Sequence, residues 1–174
     1  MSQGCSQIDV INHGQVQIMR LPEGWVESTT ERHPLDVWTM RTFHPQGDSR
    51  TRLCLHYRGG PISPASAVKF RGLLEQSPHE LSEAELWDIQ EVLRDAMAPG
   101  AFEKTAASNK DWKGKRVIVL EGRWTASRET SLSIFVDADG TGSQVQEIHY
   151  VAPVEDFSKH LPLAQASLES IEWK

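Results

Sequence analysis

Apolar and polar residues alternate along the first third of the chain with the period of two that is typical of β-strands. The alternation predicts strands over 15–21, 35–43 and 51–57. A turn is expected after the first strand at Pro22, and another at Pro45–Asp48, because proline and glycine supply the backbone angles that a reversal needs. We therefore expect an antiparallel meander with one buried face.

The apolar spacing changes to a helical period after this meander. Ser63 and Pro64 have the residue types of an N-cap and a first helical position. A second helix is predicted to begin at Ser82 and Glu85, which form an S-x-x-E capping box, and to end before Pro99. Its buried stripe is expected to consist of Leu86, Ile89, Leu93 and Met97.

The second half of the chain returns to strand patterns. A polar stretch over 105–115 is expected to be a loop, and a final helix is expected over 154–171, interrupted by Pro162. Three strands are predicted between them, at 116–124, 131–136 and 144–151. This order predicts an α+β fold in one domain, 1–174, with an antiparallel sheet of about six strands and a flexible start over 1–7.

Charge is distributed unevenly. The 174 residues carry a formal net charge of −6. The segment from Glu75 to Glu103 contains eight acidic residues and one basic residue, Arg94. Such a surface repels nucleic acid, so no nucleic-acid partner is expected. The longest apolar run, Val117–Leu120, is far shorter than the ~20 residues of a membrane span.

One face of the second predicted helix is the candidate partner-binding surface. Its acids are Glu83, Asp88, Glu91 and Asp95. A basic protein partner would relieve their mutual repulsion and would be steered toward them from solution. The alternative is a helix face that is acidic only because it is solvated.

The cysteines bear on the compartment. Cys5 lies in a polar stretch and Cys54 in an apolar alternation, so a disulfide between them is not expected. Unpaired thiols suit a reducing environment. No secretory leader is visible at the start of the sequence, so a cytoplasmic location is expected.

The residues suited to chemistry do not form a recognisable catalytic motif. Cys54 and His56 share a predicted strand face, as do Glu147 and His149, but two side chains make neither a triad nor a zinc site. The segment Asp137–Gly142 matches part of a calcium loop, although Ile148 occupies the position of the essential bidentate carboxylate. We expect a hairpin turn there, no catalytic residue, no metal and no cofactor.

A basic stretch surrounds Trp112. Its members are Lys104, Lys110, Lys113, Lys115 and Arg116. We expect a solvated loop with an anchoring tryptophan, and the alternative is an anion-binding edge.

Short segments of the chain resemble the PsbP-like superfamily. They are Leu21–Trp25, Lys115–Trp124, Gln146–Tyr150 and Leu168–Ile171. That group includes photosystem II lumenal subunits, Ran-binding Mog-type proteins and small bacterial proteins of unknown function. The resemblance implies an antiparallel sheet with helices on both faces, an α/β/α sandwich. It also implies a binding or assembly role, in some members as a chaperone, and identifies no functional residue.

Two classes of function follow. The first is a non-enzymatic binding or assembly module, accessory or chaperone-like, with a protein partner. The alternative is a small-ligand-binding protein or an enzyme whose site is assembled from scattered residues. A concave pocket with converging titratable groups would favour the alternative.

Overall fold

The computed structural model describes residues 8–28 and 39–174, together with the backbone of 31–32. The expected flexibility over 1–7, the residue Cys5 and the start of the strand predicted at 35–43 lie outside these ranges. Within them the chain is an α+β protein whose strands all pair antiparallel, as predicted.

A small sheet joins the two ends of the described chain. Strands β1 (Asp9–His13) and β2 (Val16–Arg20) form a hairpin, and β12 (Glu172–Trp173) pairs with the other edge of β2. The turn of the hairpin contains Gly14, whose φ of +55° is accessible to glycine at little cost. A Cβ at this position would also overlap Gln146.

The large sheet has the order β3-β5-β6-β11-β10-β9-β8-β7, with β4 beside β5. Its strands are β3 (Trp25–Glu27), β4 (Glu31–Arg32), β5 (Thr39–Pro45), β6 (Arg52–Tyr57), β7 (His79–Glu80), β8 (Phe102–Trp112), β9 (Lys115–Trp124), β10 (Glu129–Asp137) and β11 (Val145–Pro153). The sheet is therefore wider than the six strands expected from the sequence.

The polar stretch expected as a loop over 105–115 is mostly strand. It forms β8 and begins β9, and ten residue pairs join the two strands. Most side chains of β8 are exposed, which explains its polar sequence, whereas Ala107 and Asn109 are buried. The Asn109 amide donates hydrogen bonds to the carbonyls of Leu73 and Gln76 at the end of a helix.

Four helices and one 3₁₀ turn complete the fold of the described residues. They are α1 (Pro64–Glu75), α2 (Glu83–Asp88), α3 (Gln90–Leu93), the 3₁₀ turn Arg94–Met97 and α4 (Phe157–Glu169). The predicted caps at Ser63 and Ser82 are both present, the latter as a complete capping box with Glu85. Helix α4 continues through Pro162.

The second predicted helix is divided, contrary to the single helix expected. Its regular hydrogen bonding breaks at Ile89, and Arg94 has a φ of +52°. The buried guanidinium of Arg58 donates to the carbonyls of Glu91 (3.4 Å) and Val92 (2.7 Å). This tertiary contact competes with the helical pattern at the point where the helix ends.

Two apolar clusters use alternate residues of the same strands. Val117 and Val119 belong to a cluster with residues of α4 and the small sheet, whereas Ile118 and Leu120 pack with residues of α1, α2 and α3. No helix of the described residues has the length and apolar character needed to cross a membrane.

Candidate functional site

Four side chains that are capable of acid–base or nucleophilic chemistry lie together on one face of the large sheet. Strand β6 pairs with β11 so that Cys54 lies directly opposite His149, and His56 lies opposite Glu147. Residues two apart on a strand share a face, and opposite residues have Cβ atoms about 5 Å apart. The register therefore brings a thiol, two imidazoles and a carboxylate together.

Arg58, which follows β6, forms an ion pair with one member of this group. Its Nη2 lies 2.9 Å from Oε2 of Glu147, and only 2% of its side chain is exposed. Its guanidinium carbon also lies 5.7 Å from the ring centre of Phe135. Burial alone would raise the pKa of the Glu147 carboxyl, but His149 and then Arg58 lower it to about 2. Glu147 is thus a carboxylate with a fixed partner on each side.

His149 is held in the charged state. Its buried Nδ1 lies 3.4 Å from Oε1 of Glu147, within ion-pair distance but without the geometry of a hydrogen bond. Burial opposes the charge, yet the Cys54 thiolate and the Glu147 carboxylate together raise the pKa of His149 well above its usual value. A cation therefore lies beside the Cys54 sulfur.

The pKa of Cys54 is shifted in the opposite direction to that of His149. Burial would raise the pKa of its thiol, but the charge of His149 and hydrogen bonds from His149 and Thr42 leave that pKa below its usual value. Cys54 is a free thiol with 4% exposure. The arrangement favours a thiolate–imidazolium pair oriented by a carboxylate, the chemistry used to activate cysteine nucleophiles.

The second imidazole of this face is held neutral. Burial lowers the pKa of His56 to about 4; Glu147 opposes this effect, and Arg58 adds to it. His56 and His149 thus carry different charges although one residue pair separates them in the ladder.

Each of these residues was considered in the sequence: the Glu147–His149 pair is present, whereas Cys54 lies opposite His149 and not in a dyad with His56. Cys54 was paired with His56, and Glu147 with His149, and neither pair alone indicated a site. The missing information was the register of β6 against β11, which lie about 90 residues apart and have no local signal that aligns them. Within the described residues no group of three potential ligands could hold a metal ion.

The acids of the predicted partner-binding face are all exposed, while Leu86, Ile89 and Leu93 are buried as their period predicted. Three of these acids have partners within the chain. Glu83 lies 2.9 Å from Lys104, and Asp88 lies 2.6 Å from Lys69. Glu91 accepts hydrogen bonds from the backbone and hydroxyl of Ser63, at the start of α1.

An exposed tryptophan belongs to the same surface. Trp87 on α2 is 52% exposed, and in sequence it lies four residues after Glu83 and four before Glu91. Residues four apart on one helix share a face, which places Trp87 beside Glu83 on α2. Glu91 belongs to α3, beyond the break at Ile89. A tryptophan ring is more often buried in the core or at its rim.

An open cleft of about 540 Å³ lies between the small sheet and the start of β5. His13, Thr39, Arg41, Tyr57 and Lys174 are among its lining residues. Arg41 is bound in bidentate fashion to Glu27, with both N–O distances at 2.7 Å. The volume is that of a small-molecule site, but two of its titratable groups, His13 and Arg41, are hydrogen-bonded within the protein.

The Asp137–Gly142 segment forms the turn between β10 and β11, as expected. Asp139 accepts hydrogen bonds from the backbone and hydroxyl of Thr141 and from the hydroxyl of Ser143. Its carboxylate therefore stabilises the turn.

Trp112 anchors the basic stretch, which lies on the β8–β9 hairpin. Its indole N–H donates to the carbonyl of Leu168 at 3.0 Å, and its ring packs against the cluster that includes α4. The expected anchoring role is confirmed, although the stretch is a hairpin instead of a loop.

Comparison with known proteins supports the fold. No family model and no curated protein sequence matches the chain. The solution structure of cyanobacterial PsbP (CyanoP) from Synechocystis sp. PCC 6803 is similar, with a TM-score of 0.56 and 14% identity over 98% of this chain and 94% of that chain. LpqN, involved in cell envelope biogenesis of Mycobacterium tuberculosis, has a TM-score of 0.47 and 14% identity over 97% of this chain and 91% of LpqN. The chain therefore has the PsbP-like fold that the sequence resemblance implied.

Proposed function

We propose that this protein is an accessory module that binds a basic segment of another protein through the helical surface around Trp87. This surface, the Trp87 face, comprises Glu83, Trp87, Asp88, Glu91 and Asp95. The observation that carries the proposal is the 52% exposure of Trp87 in an acidic region. Tryptophan is among the residues most enriched at the energetic centres of protein interfaces.

The charge of the region supports a basic partner. Eight acids and four bases lie between residues 69 and 104, a net charge of −4. The pairs of Glu83 with Lys104 and of Asp88 with Lys69 are largely exposed, and such pairs contribute about 0–1 kcal/mol. A partner's lysine or arginine could therefore replace either internal partner at small cost.

The first experiment compares proteins captured from a lysate of the native host by the tagged wild type, Trp87→Ala and Leu163→Ala. Leu163 is the matched control, because it is 48% exposed on α4, which contributes to the other apolar cluster. We expect a captured protein that the Trp87 variant loses and the Leu163 variant retains. Equal capture by all three would contradict the proposal.

The second experiment tests steering with the partner so identified. Glu83→Lys should slow association at least about threefold at low salt, and the difference should vanish at 1 M, where the Debye length is ~3 Å. Glu155→Lys provides the same charge change at an exposed position before α4. Equal slowing by both variants would show that net charge matters and the Trp87 face does not.

A further inference from the structure

The face of β6 and β11 that carries Cys54 has no role in the proposed binding. Cys54 lies opposite His149 in the ladder, His149 lies 3.4 Å from Glu147, and Glu147 lies 2.9 Å from Arg58. Each group therefore has a partner of opposite charge, and the series ends at the Cys54 sulfur. We propose that Cys54 is a peroxide-reactive thiol, oxidised to a sulfenic acid with His149 as the proton donor.

The size of the oxidant follows from exposure. Cys54 is 4% exposed, whereas the side chains of His149, Glu147 and Arg52 retain 23%, 19% and 32% of their exposure. Oxidation of Cys54 requires that a molecule the size of hydrogen peroxide reach the sulfur beside these partly exposed groups. A bulky acyl substrate needs the sulfur itself to be open, so the geometry favours a small oxidant over acyl transfer.

The reaction balances without another reactant. The Cys54 thiolate attacks one oxygen of hydrogen peroxide, an S–O bond forms and the O–O bond breaks. The leaving hydroxide takes the proton of the His149 imidazolium and departs as water, which leaves Cys–SOH and neutral His149. The sulfur loses two electrons and the peroxide gains them.

Several neighbouring groups together stabilise the Cys54 thiolate. On β6 the charged or titratable neighbours are Arg52 and His56, and on β11 they are Glu147 and His149; β5 contributes the hydroxyl of Thr42. Arg52 is 3.0 Å from Glu129 and so is partly neutralised. His149 is the cation opposite Cys54 in the ladder, and Glu147, fixed by Arg58, is a positioning residue that keeps it charged.

The experiment measures sulfenic acid formation in a Cys5→Ser background, so that Cys54 is the single thiol. Hydrogen peroxide is added at fixed concentration, and the dimedone adduct is quantified by mass spectrometry between pH 6 and 8. We expect the folded protein to react at least about tenfold faster at pH 7 than the same chain in urea, because an ordinary thiol is only a few per cent ionised there. A folded rate equal to or below the unfolded rate would overturn the proposal.

Two variants and one control variant separate activation from folding. His149→Asn should lose most of the rate, and its remaining reaction should rise steeply with pH, as for an ordinary thiol. Glu147→Gln should show an intermediate pH profile, while His160→Asn should behave as wild type because His160 lies on α4, away from this face. A His149→Asn protein that remains folded by circular dichroism and reacts at the wild-type rate would exclude the assigned role.

A bulky maleimide provides the test of size. In the folded protein it should label Cys54 much more slowly than in urea, opposite to the order expected for peroxide. Fast labelling of the folded protein by both reagents would contradict the inference that the site selects a small oxidant.

Discussion

At the scale of single residues, hydrogen-bond partners determine which ring nitrogen of His13 carries the proton. Oε1 of Gln146 accepts from the backbone N–H of Gln15 at 2.6 Å, so its Nε2 is the donor. That donor faces the carbonyl and Nδ1 of His13, at 3.0 and 3.2 Å. Nδ1 must therefore accept, and the His13 proton lies on Nε2, which donates to Thr39 at 2.9 Å. A second proton would face the amide donor.

His13 predicts a loss of stability in acid. Burial, followed by nearby Arg41, lowers the pKa of His13 to about 4, whereas the unfolded chain binds the same proton near 6.5. Unfolding therefore takes up a proton between these values, and the free energy of unfolding falls as the pH drops through this range. His13→Gln should reduce the fall between pH 7 and 4.5 by about 2 kcal/mol, measured by urea unfolding.

The comparison with wild type is needed because His56 contributes a fall of the same sign, and burial also lowers its pKa to about 4. The variant removes the His13 contribution alone. If wild type and His13→Gln lose the same free energy on acidification, the neutral state assigned to His13 is wrong.

At the scale of elements, local patterns predicted the helices well and the sheet less well. The N-cap at Ser63 and the capping box at Ser82 depend on residues within one turn, so the sequence contains their whole cause. The helix end at Arg94 follows the Val92 carbonyl that Arg58, about 30 residues away, binds, and it was not predicted. Strand β8 was missed because its exposed face carries polar residues that resemble a loop.

The candidate site shows the same limit. Its residue types were visible in the sequence, but their assembly requires β6 and β11 to pair in one register. A shift of one residue would place Cys54 and His149 on opposite faces of the sheet. Only the packing of both faces selects that register.

The buried residues of the divided helix are expected to stabilise the fold. Leu93 is 3% exposed and packs in the cluster of α1, α2 and α3. Leu93→Ala should lower the free energy of unfolding by about 2–5 kcal/mol, through lost apolar burial and the cavity left behind. Urea unfolding checks this, with Val68→Ala as the control, because Val68 is 74% exposed on α1. A loss under about 0.5 kcal/mol for Leu93, the range of ordinary surface changes, would contradict it.

At the scale of the whole molecule, one sheet carries both apolar clusters. Strand β9 gives Val119 to one and Ile118 to the other, and β10 divides Ile134 and Phe135 in the same way. A substitution that destabilises either cluster should therefore also destabilise the strands that form the other cluster. The assignment of 1–174 to one domain stays a prediction, and the shared strands provide a way to test it.

The expected result is a single cooperative unfolding transition, and two variants test it from opposite sides of the sheet. Leu168→Ala affects the cluster that contains α4, and Phe70→Ala affects the cluster that contains α1. Each should cost about 2–5 kcal/mol and shift one common thermal midpoint. The calorimetric and van't Hoff enthalpies should agree in wild type and in both variants, as for a two-state domain. A variant that splits the transition in two would show that the clusters unfold separately and that the chain contains two units.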